Sequence, residues 1–490
     1  GVNMENINNK LKNSGKTVAV IGGGIGGLYS ALKLRECGFS VTLIEKQNSV
    51  GGLSTSIPID GYKIDIGPHY MTLKKESEIT NEILELVGQE NIIILNNIEK
   101  SYLSYYNNKL LNTVPTILDA IFSSGSKSAL ISAFSLISKP RIRFNDKNIS
   151  SIEYLKACFG NFLFEKWCKP YLLQNYGNLE LPLEYVKNRF KPITLNKIST
   201  RLSNNRNAED ELKIKTTDQK YINCYFKFGV GQLADVLSQK IKNLDGNIVL
   251  NAEITSIEHS QSKIIHYKVN DEKHSINADY IIYATPPGIT KKWFNTSQNI
   301  RSDNVRNKNF NAIMVFLFID TPKLFDGWLI SVFDSTLPFF RLSQQNYLSK
   351  DISPKNKTLL TAEIRSEDTD QLWQKGEKEI AKIVEKNLRE MNLLNDNKIE
   401  GHKVIKFPNL YPRFKSNISE EIANLEDEIS KTSTNEFLLG VSELDTGRFV
   451  TTEQRVNEDH VPSAGGIYNA ISNGKKVVEL ITTKNSGVKK

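Results

Sequence analysis

Three glycines and one acid carry the clearest chemistry in this chain. In VAVIGGGIGG (residues 18–27) an apolar strand runs into a turn where Gly22, Gly24 and Gly27 keep the G-x-G-x-x-G spacing. Glu45 closes the next strand, SVTLIE. In a strand–turn–helix–strand unit Gly22 permits the tight turn and Gly24 lets a pyrophosphate approach the backbone. Gly27 lets helix pack closely on strand. Ile25 and Gly26 lie within the turn as further cofactor-binding candidates, and the helical run that follows, LYSALKLRECG, offers at its N-terminus free N–H groups and a positive dipole end to phosphates. Glu45 is placed to accept hydrogen bonds from a ribose. Together these residues predict a dinucleotide site.

Which dinucleotide binds is decided just downstream. Lys46 follows the acid, then a short spacer, then the doublet Gly51–Gly52, then Leu53, Ser54 and Thr55. A nicotinamide domain has no ordinary need of a second glycine pair there. With the doublet, the chain resembles the FAD-dependent amine oxidase superfamily, whose members carry an acid, a spacer and a GG pair. It is especially similar to the branch of protoporphyrinogen oxidases, phytoene desaturase-like enzymes and, further off, UDP-galactopyranose mutases. The resemblance implies an α/β fold: a Rossmann-like FAD-binding domain of the GR2 type with an interleaved α+β substrate-binding domain. It implies FAD as cofactor. The family's usual Arg after the doublet is replaced here by Leu53, which removes one side-chain phosphate contact and leaves the pyrophosphate to backbone groups.

Further segments extend the likeness from Val18 to about Ile481. GYKIDIGPHYMT (residues 61–72) resembles the strand and turn that pass beside the flavin ring, with Asp65, Gly67, Pro68 and His69 matching. GNIVLNAEITSIE resembles the strand returning to the adenine end, where Ile254 matches a position whose backbone contacts the adenine. NADYIIYATPPG, containing Ala284, is the strand after it. GGIYNAISNG resembles the segment where the chain returns to the isoalloxazine, so Gly465, Gly466 and Ile467 would open a helix facing the pyrimidine carbonyl. A positive helix end there would stabilise negative charge on the ring. Where the family often has Gly-Asp, this chain reads Gly440–Val441. A carboxylate contact to the cofactor is either absent or comes from elsewhere.

For chemistry at the ring, His69 is one candidate, as a hydrogen-bond partner of substrate or flavin or as a cap of its own turn. Arg341, among the aromatics of PFFRLS, is the second. A guanidinium beside aromatic rings suits a carboxylate or phosphate, or else pairs with a structural acid. Arg413 and Arg448 are weaker candidates of the same kind. Trp167, Tyr171 and Tyr176 read as core before they read as substrate wall. Two activities follow from the resemblance. One is an oxidase, dehydrogenase or desaturase that passes hydride from a small biosynthetic substrate to flavin N5. The alternative is a non-redox mutase or isomerase acting on a sugar nucleotide. A flavoprotein serving only as a binding module is a third. No lysine stands out as the partner used by simple amine oxidases.

The elements that must position these residues occupy most of the 490-residue chain, enough for two domains. The expected layout is interrupted. Residues 15–75, 222–292 and 435–485 form the FAD-binding domain after a disordered N-terminus (1–14). Residues 76–221 and 293–434 form the substrate-binding domain, with a helical cap near 113–143. NAIMVFLFID reads as a strand, and EKEIAKIVEKNLREMNLL as a helix with apolar residues at 3–4 spacing.

The net charge of +8 is scattered among acids. It reads as a solvated basic surface, with an anionic substrate or membrane surface as the alternative. No nucleic-acid module is present. The four cysteines form no C-x-x-C pair and the six histidines no ligand spacing, so no disulfide framework and no metal is expected. The segment 113–143 is either a cap with apolar faces in the core or a monotopic seat in one leaflet. No apolar signal precedes the first strand, and no apolar run of about 18 residues exists. The expected location is cytoplasmic, with peripheral contact at the cytoplasmic membrane face left open, and the expected partner is a small-molecule substrate.

Overall fold

The computed structural model describes residues 15–111, 131, 134–135, 149–181, 183, 186–187, 190, 220–294, 309–411, 418–439 and 466–486. The N-terminus 1–14, most of the segment 113–143, Arg413, Arg448 and Gly465 lie outside the described residues. The chain divides into two units: Gly1–Leu95, Ile222–Asp303 and Asn417–Lys490 form the first, Asn96–Tyr221 and Asn304–Ser416 the second.

The first unit is built on TVAVI, strand β1 (Thr17–Ile21), whose β-branched side chains are buried on both faces as a central parallel strand requires. Helix α1 (Ile25–Glu36) returns the chain to β2 (Ser40–Ile44). Short strands β3 (Ser56–Ile59) and β4 (Tyr62–Asp65) form a hairpin, followed by β5 (Met71–Lys74), helix α2 (Glu78–Val87) and β6 (Ile92–Ile94). The sequence layout starts the second domain at residue 76. In the structure residues 76–95 stay in the first unit, because β6 pairs with a strand that arrives after the long excursion.

The excursion opens the second unit with β7 (Tyr102–Tyr106), β8 (Lys109–Leu111), α3 (Ser151–Leu163) and α4 (Lys169–Tyr176). The chain then re-enters the first unit through β9 (Tyr221–Phe226), α5 (Gln232–Asn243) and β10 (Asn247–Val249). A three-stranded meander, β11 (Ala252–Glu258), β12 (Lys263–Val269) and β13 (Glu272–Ala278), leads to β14 (Tyr280–Tyr283). The second unit resumes with β15 (Phe310–Ile319), β16 (Leu329–Val332), β17 (Arg341–Gln344), β18 (Thr358–Ser366), α6 (Glu377–Glu390) and β19 (Ile399–Tyr411). Helix α7 (Ile418–Thr432), β20 (Glu436–Leu438) and α8 (Gly466–Ser486) complete the first.

In the first unit the strands run β10-β2-β1-β14-β20, all parallel. Ala19, Ile21, Ile281 and Tyr283 point from this sheet into a core shared with the meander and α7. In the second unit a seven-stranded sheet runs β19-β15-β18-β17-β16-β7-β8, antiparallel except where β16 meets β7. One face packs on α6 through Ile380, Ala381, Val384 and Leu388, a stripe at helical spacing. Trp167, Tyr171, Tyr176 and Phe333 are buried against one another, with Tyr171 stacked between Trp167 and Phe333. All four cysteines are free thiols, three of them buried. Among the described residues no helix is long and apolar enough to cross a membrane.

A buried acid at the sheet edge sets the pH response of the first unit. Glu436 is fully buried and accepts hydrogen bonds from Tyr283 Oη (2.7 Å) and His259 Nδ1 (2.9 Å). Burial and nearby Lys263 disfavour a charged His259, but Glu436 and the Trp293 carbonyl outweigh them and raise its pKa. The pair therefore stabilises fully below the unfolded histidine value of 6.5 and loses that contribution as pH rises through the folded value. Urea midpoints should fall across this window in the natural protein and stay flatter in His259→Ala. At low pH that variant should lose up to about 3 kcal/mol, the cost of stranding a buried carboxylate.

Candidate functional site

At the end of β1 the backbone is compressed to distances only glycine allows. Gly22 has φ +107°, and a Cβ there would sit 2.5 Å from the Ala284 carbonyl oxygen. A Cβ on Gly27 would sit 2.2 Å from the Gly22 carbonyl oxygen. Helix α1 therefore starts directly on the turn, its first bond running from Leu28 N–H to Gly24 O. Gly24 is different: its φ is −68°, and among the described residues no atom lies within 4 Å of a Cβ built on it. The turn leaves open space beside Gly24.

The glycine doublet and the acid close around the same turn. Gly51 N–H donates to Gly23 O at 2.7 Å, and Gly24 and Gly51 form a parallel bridge. A Cβ built on Gly52 would sit 3.5 Å from the Gly24 Cα, while Ser54 N–H closes a turn on Gly51 O. Leu53 and Ser54 are half-buried. Glu45 Oε2 accepts from Gly23 N–H at 2.6 Å and Oε1 from Gln47 N–H at 2.7 Å. Lys46 turns away and pairs with Glu253 on β11 at 2.9 Å. The Glu45 carbonyl accepts from Ala252 N–H, which fixes the start of β11 and so the position of Ile254 two residues on.

A second helix start lies at the same end of the sheet. On α1, a Cβ at Gly26 would meet Ala470 O on α8 at 3.2 Å, and Gly474 of α8 is packed against Ser30 and Tyr29. Residue 26 lies beside 470 and residue 30 beside 474, so the two helices run in the same direction. Their N-termini, Ile25 and Gly466–Ile467, open together. Neither helix has an acid in its first turn, and α1 has no side-chain cap. The α1 start, with no side-chain cap, keeps N–H groups free of a side-chain acceptor, and the two helices turn two positive dipole ends toward one region. Like Gly24, Gly466 has no atom of the described residues within 4 Å of a built Cβ.

The loop holding Gly67, Pro68 and His69 is fixed from below by Asp65, which is fully buried. Its carboxylate accepts from Ser56 Oγ (2.5 Å), Val230 N–H (3.2 Å) and Tyr225 Oη. Gly67 has φ +83°, and His69 Nε2 donates to Ile66 O at 2.6 Å, holding the ring over its own turn. Ser56 and Tyr225 are supports that sequence reasoning missed, since nothing local marks a serine or tyrosine as the partner of a distant acid.

Arg341 belongs to the second unit. Its Nε and Nη2 donate to both oxygens of Glu363, at 2.6 and 2.7 Å, and Tyr411 Oη donates to Glu363 Oε2 at 2.6 Å. Burial disfavours the Arg341 charge, but Glu363 overrides it and raises the pKa. Burial and the Glu363 charge both push Tyr411 well up. Arg365, also missed, lies 4.2 Å from the Phe340 ring centroid and donates to the carbonyls of Leu173 and Gln174 at the end of α4. Burial and Arg341 lower it to about 10, so it stays a cation at neutral pH. The alternation in TAEIRS, which puts Thr361, Glu363 and Arg365 on one strand face, was the signal available for it.

A family model described as flavin containing amine oxidoreductase matches residues 25–407. The coproporphyrinogen III oxidase of Staphylococcus aureus (strain NCTC 8325 / PS 47) is 28% identical over 298 residues, 57% of this chain and 62% of that protein. The phytoene desaturase of Cercospora nicotianae is 30% identical over 166 residues, 33% of this chain and 24% of that protein. The chain thus spans less than two thirds of the length of these curated relatives. The crystal structure of reduced UDP-galactopyranose mutase superimposes with a TM-score of 0.72 at 15% identity, covering 96% of this chain and 98% of that one. At that identity the likeness speaks for the fold alone.

The space beside Gly24 yields a clean test. Gly24→Val should leave the unfolding free energy of the cofactor-free protein within about 0.5 kcal/mol of that of the cofactor-free natural protein, the range of substitutions that meet nothing. It should nonetheless abolish retention of a yellow cofactor through gel filtration. Gly27→Ala, by contrast, should lower the thermal midpoint as well.

Proposed function

The chain belongs to the flavin containing amine oxidoreductase family, and on that premise we propose that it is an FAD-dependent oxidoreductase that removes hydride from a small biosynthetic substrate. The observation that carries the site assignment is the open space at Gly24, facing an uncapped helix start and backed by the Gly51–Gly52 doublet. An anionic pyrophosphate matches that donor set, which offers backbone N–H groups and no competing acid in the first turn. The residues present fit FAD.

In this reading Gly22, Gly24, Ile25, Gly26 and Gly27 with Gly51, Gly52, Leu53 and Ser54 hold the pyrophosphate. Glu45, whose two oxygens keep further lone pairs after accepting from Gly23 and Gln47, takes ribose hydroxyls. Lys46, Ile254 and Ala284 flank the adenine half. Gly466 and Ile467, at the start of α8, stabilise negative charge at the pyrimidine end, and Gly465 precedes them. When bound, FAD supplies the two-electron acceptor. Gly67, Pro68 and His69 line the ring, with the imidazole oriented by its bond to Ile66 O. The first unit is the FAD-binding domain and the second the substrate-binding domain, where Arg341 orients an anionic substrate. The curated relatives are named for oxidation and desaturation, which supports net redox turnover over isomerisation of a sugar nucleotide.

Anaerobic titration of the yellow protein with porphyrinogens, polyenes and amines tests this. One class should bleach the flavin, and oxygen or a quinone should restore it. If none bleaches it, yet dithionite-treated protein converts a sugar nucleotide without net oxidation, the mutase reading replaces this one. His69→Ala should keep FAD bound and slow bleaching about tenfold or more, the scale of losing one polar contact that acts in the transition state.

A further inference from the structure

The seven-stranded sheet of the second unit has two unlike faces. The face under α6 is apolar throughout. On the other, strand register places Ser104, Ser331, Arg341 and Glu363 side by side across β7, β16, β17 and β18. Ser343 and Thr361 stand opposite each other in the neighbouring row of the same face. Period-two alternation puts all six on one surface.

Ser331 and Arg341 are half-buried and the others are buried. Ser104 is 1% exposed, and Ser343 and Thr361 are 2% exposed. To none of the hydroxyls of Ser104, Ser331, Ser343 and Thr361 does the structure give a hydrogen-bond partner among the described residues. Arg365, one step along β18, has a buried Nε with no partner either. Among the described residues only Trp328 Nε1 and Arg365 Nε are wholly buried without a partner, the state that costs about 1–3 kcal/mol; the four hydroxyls are not sealed off in that way and stay open to an acceptor.

The unused capacity has a definite character. Both oxygens of Glu363 are taken by three donors: Arg341 Nε, Arg341 Nη2 and Tyr411 Oη. What remains on this face is Arg341 Nη1 and a set of hydroxyls, all able to donate. Two guanidiniums against one carboxylate leave a single positive charge. That combination suits a monoanion that only accepts hydrogen bonds, and a phosphate dianion exceeds it. Phe340, which stacks with Arg365 and touches the Tyr411 ring edge-on, supplies an apolar border.

We propose that this face is a carboxylate-recognition wall, on which the hydroxyl row of Ser104, Ser331, Ser343 and Thr361 and the Arg341 guanidinium receive a carboxylate of the substrate. The inference rests on the reading of the second unit as the substrate-binding domain, and it names the substrate class of that same site. Arg341 is then held in place by Glu363, and the hydroxyls set the preference for an acid over its neutral analogues.

Calorimetric titration of the FAD-loaded full chain with cyclohexanecarboxylate and with its primary amide tests the wall. The acid should bind and the amide should bind at least about tenfold more weakly. The double variant Ser343→Ala, Thr361→Val should weaken the acid about tenfold or more, as expected for lost bonds to a charged group, while FAD content and thermal midpoint hold. Equal binding of acid and amide by the natural protein, no binding of the acid, or unchanged acid affinity in the double variant overturns the proposal. The first comparison stands even if the variant fails to fold. A protein that prefers the acid but is bleached by no donor keeps this wall and loses the redox reading. One bleached equally by donors with and without carboxylates keeps the redox reading and loses the wall.

Discussion

The contact on which the first unit depends is the backbone-to-backbone approach at the start of α1. Gly27 sits so close to the Gly22 carbonyl that a methyl group would overlap it, and Gly26 faces the Leu439 side chain and the Ala470 carbonyl in the same way. Without side chains in the way, α1 packs on β1, running back against it to reach the parallel β2, and α8 packs on α1 in the same direction as α1. That parallel packing brings two helix starts to the carboxyl end of a parallel sheet, where α/β folds gather their ligands. The field at that end comes from aligned peptide dipoles, with no lysine or arginine needed to create it.

Three buried acids hold the rest in register, each with a tyrosine. Asp65 takes Tyr225 across 160 residues of sequence, Glu436 takes Tyr283 across 153, and Glu363 takes Tyr411 across 48. A tyrosine donor satisfies a carboxylate without bringing a second charge into the interior, which avoids part of the desolvation cost of a full ion pair. What completes each acid then differs. Asp65 adds a serine and a backbone N–H and remains a fixed support. Glu436 adds a histidine and so acquires a dependence on pH. Glu363 adds an arginine on an otherwise hydroxyl-lined sheet face.

The two units divide the labour between rigid backbone and side-chain chemistry. The first presents N–H groups whose positions follow from glycine turns and helix starts, so little in the proposed cofactor site relies on rotamers. The second presents charges and hydroxyls on a sheet, where strand register sets their spacing and α6 braces the opposite face. Arg365, stacked on Phe340 and bonded to the end of α4, ties that helix to the sheet beside the polar row.

Sequence alone determined what is local. The G-x-G-x-x-G spacing, Glu45 and the doublet at Gly51 are read within a stretch of chain short enough for turn chemistry to dictate, and they announce the dinucleotide site and its α/β frame. The alternation of NAIMVFLFID and the 3–4 spacing of EKEIAKIVEKNLREM likewise declare β15 and α6. Tertiary structure decided what depends on distant partners. A sequence does not show that Asp65 meets Tyr225, or that Arg341 faces Glu363 across two strands and is already committed to it. It does not show that Ser104 and Ser331, more than 200 residues apart, stand side by side. Side-chain hydrogen bonds carry no periodicity of their own. Their partners are fixed only when strand order and register bring remote segments onto one face.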